Sequence, residues 1–189
     1  MNQLTNYSYD MGGNCNLETK GMREVEKFLR ARPETIHLEN LQADKQCQTA
    51  DIDLLWVVKR SGLRFASHTI EVKVSNPHTT SDFFLEIISN EGKSTPGAAV
   101  YSFADYFIYL FYDRKELYII PAKAMKLWLL ENWDVLKTRE TKTTVGGSHY
   151  VTKGKIAPEA DILAIDGVFK HTLSYEIEQV KPVRHLSFV

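Results

Sequence analysis

The sequence predicts an α/β fold of the α+β kind, in which a mixed central sheet is flanked by helices. Two kinds of apolar periodicity indicate this fold. Apolar residues recur at helical spacing near the N-terminus and again after Pro121, and between these segments several runs alternate with the period of two typical of strands. The 189 residues, 43% of them hydrophobic, suit one domain over residues 19–189, preceded by a polar arm over residues 1–18.

The first predicted helix spans residues 19–32 and ends before a proline. On a helical wheel its apolar face consists of Met22, Val25 and Leu29, and Glu26 falls inside that face. A carboxylate that is buried without a partner is costly, so Glu26 is a candidate metal ligand. The alternative is that Glu26 lies at the edge of the face and reaches water.

A hairpin is predicted from two strands joined by the turn KRSG. Residues 51–58 (DIDLLWVV) are apolar on both faces beyond their first residues, which is typical of a central strand, and residues 63–75 return beside them. A hairpin centred near Gly62 places Asp53 opposite Glu71 and Asp51 opposite Lys73. Side chains alternate along a strand, so Glu71 and Lys73 point the same way.

The remaining predicted elements follow the same patterns. A strand over residues 83–89 (FFLEIIS) carries Glu86, a second hairpin joins ADYFIYLFY to ELYII, and Pro121 opens a helix. That helix has a stripe of Met125, Trp128 and Leu129, which is typical of core packing. Three short strands are predicted in the tail, over residues 148–152, 161–165 and 173–180.

The composition limits the binding partners and the cellular compartment that we expect for this protein. The net charge of −1 provides no global basic field, so any nucleic-acid surface must be local. Two cysteines without CxxC spacing, an N-terminus unlike a signal peptide and the lack of a span-length apolar run lead us to expect a cytoplasmic protein without a membrane partner. No phosphate loop, nucleophile elbow or histidine-rich site indicates an organic cofactor, zinc or covalent catalysis.

Asp53 and Glu71, facing each other on paired strands, would repel unless a cation lay between them. Mg²⁺ prefers oxygen ligands, usually one or two carboxylates with water and substrate phosphate. Asp53, Glu71 and the backbone carbonyl of Val72 could supply such oxygens. A bound metal lowers the pKa of its water, and Lys73 would orient that water or stabilise the negative charge that develops on the phosphate.

With these residues in this order, the chain resembles the PD-(D/E)XK nuclease superfamily, the restriction-endonuclease-like and Holliday-junction-resolvase-like fold. It looks most like compact phage, plasmid or bacterial members. The resemblance covers roughly residues 19–130 and rests on Glu26 in the first helix, Asp53 in ADIDLLW, and Glu71 and Lys73 in EVK; FFLEIIS, GKSTPG and FADYFIYLF follow in the family's order. It implies an αβββαβ core, here with extra C-terminal strands, and DNA phosphodiester hydrolysis with Mg²⁺ (Mn²⁺ substituting). Members of the family often act as dimers, so a homodimer is one expected partner arrangement.

The sequence departs from the family pattern near its first carboxylate. No proline precedes the aspartate, so Asp51 competes with Asp53 as the ligand, although the hairpin register favours Asp53. Glu86 is either a further ligand or a buried partner of Lys73 or Lys93. The alternative for the whole set is a ladder of structural salt bridges between neighbouring strands.

A local nucleic-acid surface is predicted between Glu140 and Glu159, where the chain has lysines and no acid. Gly146 and Gly147 indicate a flexible hairpin tip, and lysine and hydroxyl side chains are common phosphate contacts. The candidates are Lys142, His149, Tyr150, Lys153 and Lys155. The alternative is a solvated hairpin, and a second, weaker basic candidate is Lys181, Arg184 and His185.

These observations together predict a Mg²⁺-dependent DNA endonuclease-like protein. Asp53 and Glu71 would hold the metal, Lys73 would assist the attacking water, and Glu26, Asp51 and Glu86 are secondary site candidates. The alternative is a catalytically inactive protein of the same fold that acts as a nucleic-acid-binding or assembly module.

Overall fold

The computed structural model describes residues 8–76, 82–145 and 148–174. These residues form a mixed α/β fold with a mixed central sheet, a second sheet and a few helices. The strands are β1 (Ser8–Asp10), β2 (Thr35–Asn40), β3 (Leu54–Lys59), β4 (Phe65–Ser75), β5 (Phe83–Asn90), β6 (Thr95–Pro96), β7 (Tyr106–Phe111), β8 (Glu116–Pro121), β9 (Thr138–Val145), β10 (Ser148–Ala157) and β11 (Phe169–Thr172). The helices are α1 (Met11–Ala31), α2 (Lys45–Thr49), α3 (Ala98–Tyr101), α4 (Ala122–Glu131) and α5 (Glu159–Leu163).

The central sheet has the strand order β11-β8-β7-β4-β3-β2. Strands β2, β3 and β4 form an antiparallel meander, and β7 then pairs in parallel with β4. The crossover between those two parallel strands contains β5, β6 and α3. Strands β5 and β6 join a second sheet with the order β1-β9-β10-β5-β6, so the crossover places a second sheet beside β4.

The β3–β4 hairpin has the predicted register. Leu54 pairs with Ile70 and Lys59 pairs with Phe65, which centres the hairpin at Gly62, a glycine with a positive φ of 72°. This register carries Asp53 to the position opposite Glu71.

The predicted pairing of Asp51 with Lys73 is wrong. Strand β3 begins at Leu54, and Asp51 has a left-handed φ of 49°, so the chain before the strand turns out of the ladder. A backbone hydrogen bond of 2.9 Å from Phe103 N to Ala50 O holds that turn.

Several predicted boundaries are also corrected. Helix α1 begins at Met11 rather than near residue 19, and residues 8–10 pair with β9, so the expected polar arm contributes a strand and the first turns of a helix. Residues 159–163 form α5 where a strand was predicted over residues 161–165. Most of the strand predicted over residues 173–180 lies outside the described residues.

Two apolar clusters cover the two faces of the central sheet. Helix α1 buries Met22, Val25 and Leu29 on one face, and α4 buries Met125 and Leu129 on the other, as their spacing predicts. Trp128 is only partly buried.

Helix α1 lies very close to β4. A Cβ at Gly21 would lie 2.5 Å from the methyl carbons of Val74, so the glycine permits this approach. Within the described residues, none of the helices has the length and apolar character needed to cross a membrane.

Gly97, at the entry to α3, generates a prediction about the packing of the crossover. A Cβ at this position would overlap the backbone carbonyl of Glu86 on β5. We expect Gly97→Ala to lower the free energy of unfolding by about 1–3 kcal/mol in urea titrations, because the two segments must separate. Gly92→Ala is the matched control, since its nearest neighbour is 3.5 Å away; equal losses in both variants would contradict the packing argument.

Candidate active site

The candidate site lies where β3 and β4 part. Strand β4 continues beside β7 to Ser75, but β3 begins only at Leu54, so beyond Ile70 one side of β4 is left without a neighbouring strand. A cleft of about 380 Å³ opens there, between α1, β4, β7 and β5. Its charged lining consists of Glu18, Asp53, Glu71, Lys73 and Glu86.

Asp53 is held by its backbone and by both carboxylate oxygens. Its N–H donates to Ile70 O at 2.8 Å, and its carbonyl accepts from Leu41 N at 2.7 Å. Oδ2 accepts from Val72 N at 2.8 Å, and Oδ1 accepts from Gln42 Nε2 at 3.1 Å. The carboxylate therefore occupies the place on β4 where a neighbouring strand would otherwise bond.

The backbone carbonyl of Val72 points toward the same side of β4 as Asp53. Along a strand, the backbone groups of successive residues face alternate neighbours. The carbonyls of Thr69 and Ser75 accept from residues on the β7 side, so odd-numbered positions face β7 and Val72 faces the opposite side. This orientation suits the predicted use of the Val72 oxygen as a ligand.

Glu71 and Lys73 form an ion pair inside the cleft. The distance from Lys73 Nζ to Glu71 Oε1 is 2.8 Å, and the Glu71 side chain is only 8% exposed. Burial raises the pKa of Glu71 to about 8; Lys73 opposes this rise and the charge of Asp53 adds to it. Burial alone would lower the pKa of Lys73, but Glu71 and Glu86 outweigh it and hold that pKa above its ordinary value.

The site has more carboxyl groups than cations. Four carboxyl groups act on one another or on Lys73, namely those of Asp51, Asp53, Glu71 and Glu86. Burial raises the pKa of Asp51, and Glu86 and Asp53 raise it further against the opposing charge of Lys73. A bound cation would stabilise the ionised form of these carboxyl groups, so its binding would be accompanied by the release of protons.

The donor set fits a hard divalent cation. Among the described residues, no group of three or more His, Cys, Asp or Glu side chains is placed to hold a metal ion. The oxygens predicted as ligands are those of the Asp53 and Glu71 carboxyl groups and of the Val72 carbonyl, and all three residues line the cleft. Mg²⁺ commonly takes one or two carboxylates and keeps several waters, so this set is sufficient in number and chemical type.

Two secondary candidates have different positions. Glu86 lines the cleft from β5, and its charge acts on Lys73, although the ion pair of Lys73 is with Glu71. Asp51 does not line the cleft, but its carboxyl group is close enough for Lys73 to influence its pKa.

Glu26 does not line the cleft, which corrects its predicted place at the site. Its Oε1 accepts from Asn40 Nδ2 at 2.6 Å. The helix presents Glu18 and Met22 to the cleft instead. Glu18 precedes Met22 by four residues and so shares its face, but a helix predicted to start at residue 19 excluded it; extending the helical spacing one turn earlier would have found it.

Gln42 is a second site residue that the sequence did not indicate. It lies in the loop between β2 and α2, and its amide bonds one oxygen of Asp53. No local pattern predicts this contact, because it depends on the tertiary hydrogen bond that joins the Leu41 backbone to that of Asp53.

The predicted nucleic-acid hairpin exists as β9 and β10, with Val145 paired to Ser148. Lys142 and His149 are exposed on it and Tyr150 is half-buried. Gly146 and Gly147, and the weaker candidates Lys181, Arg184 and His185, lie outside the described residues.

The other two lysine candidates are engaged within the protein. Lys153 pairs with Glu91 at 2.6 Å and with Glu140 at 3.2 Å, so acids distant in sequence neutralise it. Lys155 is buried, and its ammonium group donates to the carbonyls of Trp133 and Leu136 at 2.7 and 3.2 Å. The prediction that Lys155 contacts nucleic acid is therefore wrong, because the group is buried against its own chain.

Comparison with protein-family models, with curated proteins and with solved structures found no match for the chain. Function is therefore argued from the geometry and charge of the cleft rather than from a relative.

The raised pKa of Glu71 predicts a pH-dependent stability. In the unfolded chain this group loses its proton near pH 4.5, whereas the folded protein keeps it to about pH 8. Folding therefore retains a proton in this window, and the free energy of unfolding should fall as the pH rises through it. Urea titrations in EDTA should show this fall in the wild type and a flatter profile in Glu71→Gln, with Glu26→Gln as the carboxylate control; equal slopes in all three would disprove the assignment.

The position of Lys155 predicts a structural role. We expect Lys155→Ala to lower the free energy of unfolding by about 1–3 kcal/mol, because two carbonyls lose their donor. The exposed Lys142→Ala should change it by less than about 0.5 kcal/mol. Thermal unfolding of both variants checks this, and a Lys155→Ala variant with wild-type stability but weaker DNA binding would restore the original prediction.

Proposed function

We propose that the protein is a Mg²⁺-dependent nuclease of the PD-(D/E)XK type that hydrolyses DNA phosphodiester bonds. The observation that carries the proposal is the convergence of Asp53, Glu71 and Lys73 in one cleft, where β3 separates from β4. One strand register brings together two carboxylates and an ammonium group that are 18 and 20 residues apart in the chain.

The order of elements around the cleft supports the same proposal. With α2 and the crossover strands β5 and β6 set aside, the elements α1, β2, β3, β4, α3 and β7 follow in chain order, and β7 is parallel to β4. This order is compatible with the αβββαβ core that the family resemblance implies. Asp53 directly precedes β3, and Glu71 lies on β4.

Each site residue has a role that its geometry suits. A bound Mg²⁺ would supply charge neutralisation at the phosphate and a water of lowered pKa. Asp53, Glu71 and the Val72 carbonyl would hold the ion, and Gln42 keeps Asp53 oriented through its amide bond. Lys73 stays protonated, so its ammonium group can donate to the attacking water or to a phosphate oxygen on which negative charge develops.

The Glu71–Lys73 ion pair favours the second candidate function, a nucleic-acid-binding or assembly module without catalysis. At 2.8 Å the two groups satisfy each other, as the members of a structural salt bridge do. The unpaired excess of carboxyl groups around them argues for the nuclease, since a purely structural cluster would gain stability from balanced charge.

The decisive experiment is cleavage of labelled linear, supercoiled and four-way-junction DNA with Mg²⁺ or Mn²⁺ and with EDTA. We expect metal-dependent cleavage by the wild type and a loss of about 100-fold or more in Asp53→Asn and Lys73→Ala. Asp53→Asn keeps an oxygen for the Val72 N–H, so folding should be retained. Asp134→Asn and Lys59→Ala are exposed matched controls and should cleave normally.

Calorimetry with Mn²⁺ provides a second readout for the same variants. Binding by the wild type and weaker binding by Asp53→Asn would support the metal site independently of turnover. Absence of both cleavage and Mn²⁺ binding in the folded wild type would overturn the nuclease proposal and favour the binding module.

A further inference from the structure

Several large, exposed apolar side chains lie on α3, just after it and along α4. We call this region the α3–α4 surface and define it by Tyr101, Phe103, Lys123, Lys126, Leu127 and Leu130. Phe103 is 69% exposed and Leu130 is 67% exposed, which is unusual for side chains of this size in one place. A cluster of this kind marks an interaction site more often than isolated exposed residues do.

The two aromatic rings of this surface are arranged as a pair. The ring centroids of Tyr101 and Phe103 are 5.7 Å apart, and the rings meet edge to face at 84°. Lys126 donates to the carbonyl of Ser102, the residue between them. This bond joins α4 to the segment that carries the two rings.

Helix α4 adds a mixed cationic and apolar face. Lys123, Lys126, Leu127 and Leu130 follow one another at spacings of three, one and three residues, which places them on one side of the helix. The opposite side contributes Met125 and Leu129 to the core. The solvent side of α4 therefore carries two leucines beside two lysines.

This surface is continuous with the cleft through a short contact. Ser102 Oγ donates to the carbonyl of Asp51 at 2.9 Å, and Phe103 N donates to the carbonyl of Ala50 at 2.9 Å. The Asp51 carboxyl group in turn interacts with Lys73 and Glu86 of the cleft. The segment that carries the aromatic pair is therefore bonded directly to the segment that carries Asp51.

We propose that the α3–α4 surface binds single-stranded nucleic acid, with bases stacked on Phe103 and Tyr101 and a phosphate contacted by the exposed Lys123. The proposal rests on the proposed function for its substrate class. Aromatic rings stack on any base, and neighbouring ammonium groups track the backbone, which is how non-specific single-strand binders are built. The aromatic rings suit the bases of a nucleotide, and the ammonium group suits its phosphate.

A second copy of the chain is the rival occupant. An interface between copies would remove the exposed ammonium group of Lys123 from water on each side, which is unfavourable unless it is paired. A phosphate would neutralise the same group, and the bonds to the Asp51 segment place the surface near the candidate site. These two arguments favour the nucleic acid.

The test measures binding in EDTA, so that cleavage does not intervene. A fluorescein-labelled oligothymidine of about 20 nucleotides is titrated with the full chain and followed by anisotropy. We expect Phe103→Ala to weaken binding by about fivefold or more and Phe103→Leu, which keeps bulk but loses the ring, to weaken it as well. Phe65→Ala is the matched control, because Phe65 is also a phenylalanine and is 61% exposed, on β4.

The lysines are tested through the salt dependence of the same titration. Lys123→Gln should lower the slope of log affinity against log salt by about 0.7, the value for one phosphate contact on a single strand. Lys59→Gln, on the exposed end of β3, should leave the slope unchanged. A duplex of the same length should bind more weakly than the single strand.

Three outcomes would overturn the proposal: no binding of the oligonucleotide by the wild type, equal losses in Phe103→Ala and Phe65→Ala, or unchanged affinity in both phenylalanine variants at position 103. Sedimentation that shows a wild-type dimer lost in Phe103→Ala, with oligonucleotide affinity unchanged, would assign the surface to a second copy. Loss of binding in Phe103→Ala, together with a wild type that neither cleaves DNA nor binds Mn²⁺, would support this surface and reject the nuclease. Metal-dependent cleavage by the wild type, together with unchanged oligonucleotide binding in Phe103→Ala, would support the nuclease and reject this surface.

Discussion

The candidate site depends on the way Asp53 takes the place of a missing strand. Where β3 begins, the Val72 N–H on β4 has no strand partner on that side, and the Asp53 carboxylate accepts its hydrogen bond at 2.8 Å. A half-buried backbone donor left without an acceptor is costly, so this bond stabilises the separation of the two strands. The separation creates the cleft, and the same carboxylate remains accessible there. The Asp53 side chain therefore stabilises the fold and also offers an oxygen ligand in the cleft.

The arrangement of charged groups in the cleft lowers the free energy of unfolding of the protein. Glu71 is almost fully buried beside another carboxylate, and burial raises its pKa to about 8. Lys73 offsets part of this cost, but the cluster keeps more acids than cations. Perturbed carboxyl groups of this kind concentrate at functional sites, because a ligand supplies the missing charge when it binds. The contrasting cluster of Arg114, Glu116, Glu159 and Lys170 has balanced charges and lies away from the cleft, joining β8, α5 and β11.

The parts of the site that follow local rules were predictable. Alternation along β4 places Glu71 and Lys73 together, and the turn at Gly62 sets the register that brings Asp53 opposite Glu71. Glu26 also fits a local pattern, but it lies away from the cleft. A helical wheel gives the direction of a side chain around the helix and not its position along the helix axis. Lys155 was misplaced for a related reason: the carbonyls of Trp133 and Leu136 that bury its ammonium group come from the segment after α4.

The sequence by itself determined the α/β class, the β3–β4 hairpin and its register, the core faces of α1 and α4, and the shared face of Glu71 and Lys73. Each of these follows from periodicity or from a turn, which act between residues close in the chain. The tertiary structure alone decided the two-sheet arrangement, the use of Glu18 in place of Glu26, the hold of Gln42 on Asp53, the burial of Lys155 and the contact between Ser102 and Asp51. These depend on which segments the crossover between β4 and β7 brings together, and the hydrogen bonds and close packing that select them join residues far apart in sequence.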